Sequence, residues 1–177
     1  IELFKTIIGY YPKMHINHAG NVENIYWGHK RFSLLYNLLY KSFIRKNQNF
    51  KGDEPSSKYF WGDYSKKHVK YIRNRVFSGI NTLKYDPYMP YIEKHKNKYS
   101  NFWFSSSDGS NCTEFLKLVT KNNIDKLASE GGCCIIYTHF ASGFTDENGK
   151  LNEHFKKITQ YLASQNGWFA PASEVLD

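Results

Sequence analysis

The sequence predicts an α/β fold built on a mostly parallel sheet. Helix-like and strand-like segments alternate along the chain, and the strand-like segments are short, the pattern of βα units. The run Gly131-Gly132-Cys133-Cys134-Ile135-Ile136-Tyr137-Thr138-His139-Phe140 opens on two glycines and continues through small and β-branched apolar residues. That composition fits a strand covered on both faces, as parallel strands are. His139 closes it. Ligands and chemistry gather at the carboxyl ends of strands in α/β folds, so His139 is the first candidate functional residue. A satisfied structural histidine is the competing reading.

The elements follow in order. Residues 1–12 hold an apolar start and the pair Tyr10-Tyr11 before Pro12. Met14 to Asn21 is a short β-like step into a polar turn at Gly20. Phe32 to Lys46 predicts a helix, because Phe32, Leu35, Leu39 and Phe43 recur at spacings of three and four and Lys41, Arg45 and Lys46 suit its carboxyl end. Residues 47–58, with Gly52 and Pro55, read as a loop. Ser65 is placed to cap a second helix through about Val76, burying Val69, Ile72 and Val76. Asp86 to Tyr91 is extended under its two prolines, and Lys94 to Tyr99 is a charged turn. Asn101 to Phe104 reads as a strand and Ser105 to Gly109 as the loop after it. Asn122 to Glu130 predicts a helix closed by Gly131-Gly132. Residues 141–150 form a loop. Leu151, Phe155, Ile158 and Leu162 mark an amphipathic helix ended by Asn166-Gly167. Trp168 to Ala170 reads as a last strand, and Ser173 as the N-cap of a closing helix.

The 177 residues are enough for a single domain with its own core. The abrupt start at Ile1 and the helix-like ending suggest the C-terminal portion of a longer protein. The net charge of +8 invites an acidic partner, yet no phosphate-binding glycine loop, zinc-finger spacing or other nucleic-acid motif accompanies it; nucleic acid is therefore not the expected partner. Lys66, Lys67, Lys70 and Arg73 form the most basic stretch, read first as a solvated face. No apolar run is long enough to span a bilayer. Cys133 and Cys134 lie inside the expected strand and Cys112 is alone. They read as small core residues rather than a disulfide framework, and favour a reducing, cytoplasmic setting. Buried thiols without an electropositive neighbour are also poor nucleophiles. Aromatic residues make up 18% of the chain; they supply core material, and flat rings also stack on the apolar faces of sugars. Trp27, Trp61, Tyr88, Tyr91 and Trp103 are the candidate stacking residues.

Two further groups carry potential chemistry. His15 and His18 form H-x-x-H, which can hold one metal ion if the backbone turns between them, as Ala19-Gly20 suggests. In a straight strand the two would face opposite sides, and a structural role is the commoner outcome for so short a motif. Asp108 follows a strand in a polar loop, where it can position a histidine, accept from a substrate hydroxyl or cap the next turn. No nucleophile elbow surrounds Ser105 or Ser142.

From Ile124 to Asp177 the chain resembles the C-terminal part of polysaccharide deacetylase-like, NodB-homology proteins. The residues that carry the resemblance are Ile124-Asp125-Lys126-Leu127, Glu130-Gly131-Gly132, Ile135-Ile136-Tyr137-Thr138-His139, the helix from Leu151 to Ser164, and the ending Trp168-Phe169-Ala170-Pro171-Ala172-Ser173-Glu174-Val175-Leu176. The resemblance implies part of a distorted (β/α) barrel that hydrolyses N- or O-acetyl groups on sugars with a divalent metal, zinc above all. It places His139 at the general acid, which protonates the leaving amine or alkoxide. His15 and His18 fall near the two-histidine metal motif, although the family spacing is H-x-x-x-H, and Asp108 near the acid that tunes the terminal histidine. The family's strand ending in paired aspartates, which supplies a base and a metal ligand, has no counterpart in these residues. Two functions are therefore expected as alternatives: a metal-dependent carbohydrate deacetylase-like hydrolase, inactive if those aspartates are lacking, or a non-catalytic carbohydrate-binding or glycan-processing protein on the same fold. Either takes a glycan or acetylated sugar as partner, and an exposed sheet edge would also favour pairing with a second chain.

Overall fold

The computed structural model describes residues 1–31 and 50–177; the helix expected over Phe32–Lys46 lies outside them. Four strands, β1 (Met14–Ile16), β2 (Tyr71–Phe77), β3 (Phe102–Asp108) and β4 (Ile136–Tyr137), form one sheet in the order β1-β2-β3-β4. β1 runs parallel to β2 and β3 parallel to β4. Each strand lies beside its predecessor in sequence, with no reversal. That is the order of a partial barrel rather than of a doubly wound sheet, whose order turns back at a switch point. The fold is α/β, as the alternation of elements predicts. Among the described residues no helix is long and apolar enough to cross a membrane.

The chain divides into two compact units. The first comprises Ile1–Asn74 and Pro90–Phe104, the second Arg75–Met89 and Ser105–Asp177.

In the first unit, α1 (Glu2–Ile8) buries none of its residues and ends on Gly9, whose φ of 89° is a left-handed cap. β1 pairs with β2 in the register Met14↔Tyr71, His15↔Ile72 and Ile16↔Arg73. α2 (Gly62–His68) precedes β2. The core is Ile25, Val69, Ile72 and Trp103. The helix expected from Ser65 to Val76 is corrected here: it starts at Gly62, stops at His68, and gives way to a strand at Tyr71. Val69, Ile72 and Val76 do recur at helical spacing. However, Tyr71-Ile72-Arg73-Asn74-Arg75-Val76-Phe77 is rich in β-branched and aromatic side chains, and β1 offers it a ladder. Ser65 is buried inside α2 and caps nothing.

In the second unit, β3 and β4 pair as Ser107↔Ile136 and Asp108↔Tyr137. Around them lie α3 (Thr82–Tyr85), α4 (Cys112–Leu118), α5 (Lys121–Ser129), α6 (Glu153–Ala163) and α7 (Ala172–Val175). The core gathers Ile80, Cys112, Phe115, Leu118, Val119, Ile124, Phe144 and Ile158. Side chains cap four helices: Asn81 accepts from the Lys84 N–H, Asn111 from Glu114, Thr120 from Asn123, and Asn152 from both His154 and Phe155. Gly131, with φ 56°, closes α5 as its position after the helix requires.

Four expectations change in this unit. β3 continues through Ser105 to Asp108 rather than ending at Phe104. Its serines are buried and two of them are satisfied: Ser105 Oγ donates to Asp86 at 2.5 Å, and Ser107 Oγ lies 2.7 Å from Thr82 Oγ1. β4 has only two residues, both half-buried, so the strand is not covered on both faces. Trp168 to Ala170 forms no strand, and Trp168 and Phe169 are exposed. α7 begins at Ala172, behind Pro171, so Ser173 lies within the helix instead of capping it. α4 had no counterpart among the expected elements.

Candidate functional site

In the second unit, the carboxyl ends of β3 and β4 meet at His139. The register Asp108↔Tyr137 brings these two residues abreast, and the chain continues from Tyr137 to His139. The Gly109 N–H donates to the Tyr137 carbonyl at 2.9 Å, and the His139 N–H donates to the Ser110 carbonyl at 3.2 Å. The same carbonyl lies 2.8 Å from His139 Nδ1. A carbonyl oxygen only accepts, so Nδ1 carries the proton. In the neutral ring Nε2 is then the acceptor, and the Tyr137 hydroxyl sits 2.8 Å from it. The two rings meet edge to face at 4.8 Å. The imidazole is exposed to solvent yet oriented through both nitrogens. It is equipped to take a proton at Nε2 and to return it.

Asp108 is exposed and uses Oδ1 to accept from the Ser110 N–H at 3.0 Å. It therefore holds the turn whose next carbonyl fixes His139. The Thr138 hydroxyl, on the intervening residue, is buried without a hydrogen-bond partner among the described residues. Burial raises the pKa of the Cys133 thiol and pushes that of Cys134 up to about 11, which leaves Cys134 protonated at neutral pH.

The first unit holds His15 and His18. Asn17, fully buried, donates through Nδ2 to the Ile25 carbonyl at 2.9 Å and accepts the Ile25 N–H on Oδ1 at 3.0 Å. Asn24 makes the reciprocal pair with His18: Oδ1 accepts the His18 N–H at 3.0 Å and Nδ2 donates to the His18 carbonyl at 2.6 Å. These bonds settle which end of the Asn17 amide is oxygen. His15 Nε2, 3.2 Å from Asn17 Oδ1, is consequently a donor. Burial pushes the His15 pKa down to about 4. The Asn17 bond opposes that shift, and the positive charge of Arg73 adds to it. His15 is thus neutral at pH 7, with its ring edge-on to Trp61 at 4.8 Å. His18 is exposed, with Nδ1 3.0 Å from the Ala19 carbonyl.

Among the described residues the two histidines are not joined by a third metal-binding side chain. His15 commits Nε2 as a donor, the buried Arg73 guanidinium beside it repels a cation, and no three His, Cys, Asp or Glu side chains among the described residues could hold a metal ion.

The aromatic candidates divide by exposure. Trp103 is fully buried, its indole N–H on Ser100 Oγ at 3.1 Å and the Lys96 ammonium 5.1 Å from its ring centre, so its ring is not open to a sugar. Trp61 is half-buried and donates to the Glu23 carbonyl at 2.6 Å. Tyr91, also half-buried, accepts from Asn74 at 2.7 Å, and Trp27 carries the Arg31 guanidinium 4.2 Å from its ring centre. These four belong to the first unit. Tyr88, in the second, is 84% exposed.

Tyr137 and Ser110, whose hydroxyl and carbonyl meet the two ring nitrogens of His139, are contacts that sequence reasoning missed. Tyr137 had a usable signal, since residues two apart in an extended chain face the same side. Ser110 had none, because its carbonyl is supplied by the backbone of the loop after another strand. No family model, curated protein or solved structure matches this chain.

Proposed function

We propose that this chain acts as a carbohydrate deacetylase-like hydrolase of the NodB-homology barrel type, with His139 as its acid–base residue. The observation that carries the proposal is the imidazole at the end of β4, protonated at Nδ1 by the demand of Ser110 and facing the Tyr137 hydroxyl at Nε2. The resemblance of residues 124–177 supplies the substrate class, an N- or O-acetylated sugar.

The chemistry that these residues offer is a proton cycle. As water adds to the acetyl carbonyl, its proton passes to the Tyr137 oxygen and the phenolic proton passes to Nε2, giving the imidazolium. As the bond to the leaving nitrogen or oxygen breaks, the proton returns by the same route and the free amine or hydroxyl departs with acetate. Asp108 is a positioning residue that acts through the Ser110 peptide. General acid–base groups of this kind contribute roughly 10²–10⁴-fold to a rate.

Acetate release from acetylated chito- and xylo-oligosaccharides tests the proposal. His139→Ala should reduce release by about 10²-fold or more, with Tyr137→Phe intermediate. Equal rates in wild type and His139→Ala, or no acetate from any acetylated glycan, would sink it.

One observation favours the second reading, a carbohydrate-binding protein without catalysis. Aromatic surface of the kind that stacks on a sugar is exposed at Tyr88. Glycan binding indifferent to chelator, in a protein that releases no acetate, would select it.

A further inference from the structure

Phe140 follows His139 directly, and 64% of its surface is exposed. A phenylalanine left in water forgoes the gain of burying its ring, so its presentation asks for a reason. The ring is not loose. It leans on Phe144 at 5.2 Å and on Phe155 at 6.4 Å. Those two rings meet each other edge to face at 4.9 Å and both meet Phe115, at 5.6 and 5.2 Å. Phe115 and Phe144 belong to the buried core of the second unit.

The backbone is fixed on either side of the ring. The His139 N–H donates to Ser110, the Ser142 N–H donates to the His139 carbonyl at 2.9 Å, and the Cys112 N–H donates to the Ser142 carbonyl at 3.0 Å. One residue past an exposed, oriented imidazole, the fold displays an aromatic ring braced by two others, Phe144 and Phe155, which in turn rest on Phe115. An aromatic held in this way binds at low conformational cost, since little rotamer freedom remains to be lost.

We propose that Phe140 is a stacking platform for a pyranose ring of the glycan, seating the sugar beside His139. This deepens the hydrolase reading and rests on it for the substrate class. The apolar C–H face of an N- or O-acetylated pyranose is the complementary surface for such a ring. Trp168 and Phe169 are also exposed, but no ring contact braces them among the described aromatic pairs, so they do not share the assignment.

Titration of wild type, Phe140→Ala and Phe140→Trp with chitotetraose and with acetylated xylotetraose tests the platform by calorimetry, with thermal unfolding run alongside. Phe140→Ala should weaken binding about tenfold at unchanged Tm, and Phe140→Trp should bind within about twofold of wild type. Unchanged binding by Phe140→Ala overturns the proposal. An equal loss in Phe140→Trp overturns it too, since that would mark packing rather than stacking, and so does failure of wild type to bind either sugar. Acetate release separates this outcome from the hydrolase reading. Binding that depends on Phe140 without acetate release keeps the platform and discards catalysis; release that depends on His139 with binding indifferent to Phe140 does the reverse.

Discussion

At His15 a single imidazole couples protonation to folding. Its folded pKa of about 4 lies below the ordinary 6.5, chiefly through burial. Between these values the unfolded chain binds a proton that the folded chain refuses, so stability rises with pH across that window. Above pH 6.5 the contribution is complete; it is lost as pH falls toward 4. Urea unfolding between pH 4 and 7 should show a slope worth on the order of 2 kcal/mol across the range. His15→Gln should flatten that slope while retaining a donor to Asn17. A slope unchanged by the substitution would remove His15 as its source.

The same scale shows what sequence can and cannot reveal about chemistry. The position of His139 just past the fourth strand was legible, because an apolar run leading into a histidine places that residue near a strand terminus. Its partners were not, since one is a main-chain carbonyl. The H-x-x-H spacing was legible as a motif, but not the buried Asn17 amide that takes Nε2 of His15 as a donor.

At the scale of elements, capping carries much of the local specification. Asn152 accepts from the N–H groups of both His154 and Phe155, at 2.9 and 3.0 Å, and starts the helix that contributes Ile158 to the core. Asn152→Ala should lower stability by about 0.5–2 kcal/mol, measured by denaturant unfolding; Asn152→Ser should recover most of it. No loss on Asn152→Ala would mean that packing alone sets the start of the helix. α6 was readable from its 3–4 spacing of Leu151, Phe155, Ile158 and Leu162. β2 was misread because Val69, Ile72 and Val76 share that spacing by coincidence, and the partner strand that decides the matter lies more than fifty residues away in sequence. β3 was cut short because a run of serines signals a loop. The hydroxyls of Ser105 and Ser107 are instead satisfied inside the fold by Asp86 and Thr82, contacts that no local pattern announces.

At the scale of the whole molecule, the alternation of segments was sufficient for the α/β class and for a parallel sheet, since both depend on chain-wide pattern rather than on element boundaries. The division into two units was not legible, because it follows from which residues meet in space. Each unit has its own buried cluster. Phe144, 1% exposed and in edge contact with Phe115 and Phe155, is central to the second. Phe144→Ala should cost about 3–5 kcal/mol in equilibrium unfolding, and Phe144→Leu clearly less. A loss under 1 kcal/mol would show that the cluster collapses around the vacancy or was never tightly packed.

The paired amides of Asn17 and Asn24 have an engineering consequence. They hold His18 against Asn24 and Asn17 against Ile25 by four bonds. The side chains of Ala19, Val22 and Glu23 take no part in that closure. Closure of the segment therefore rests on two amide side chains past the end of the first strand, so Asn17 and Asn24 are the positions that an engineered variant must keep.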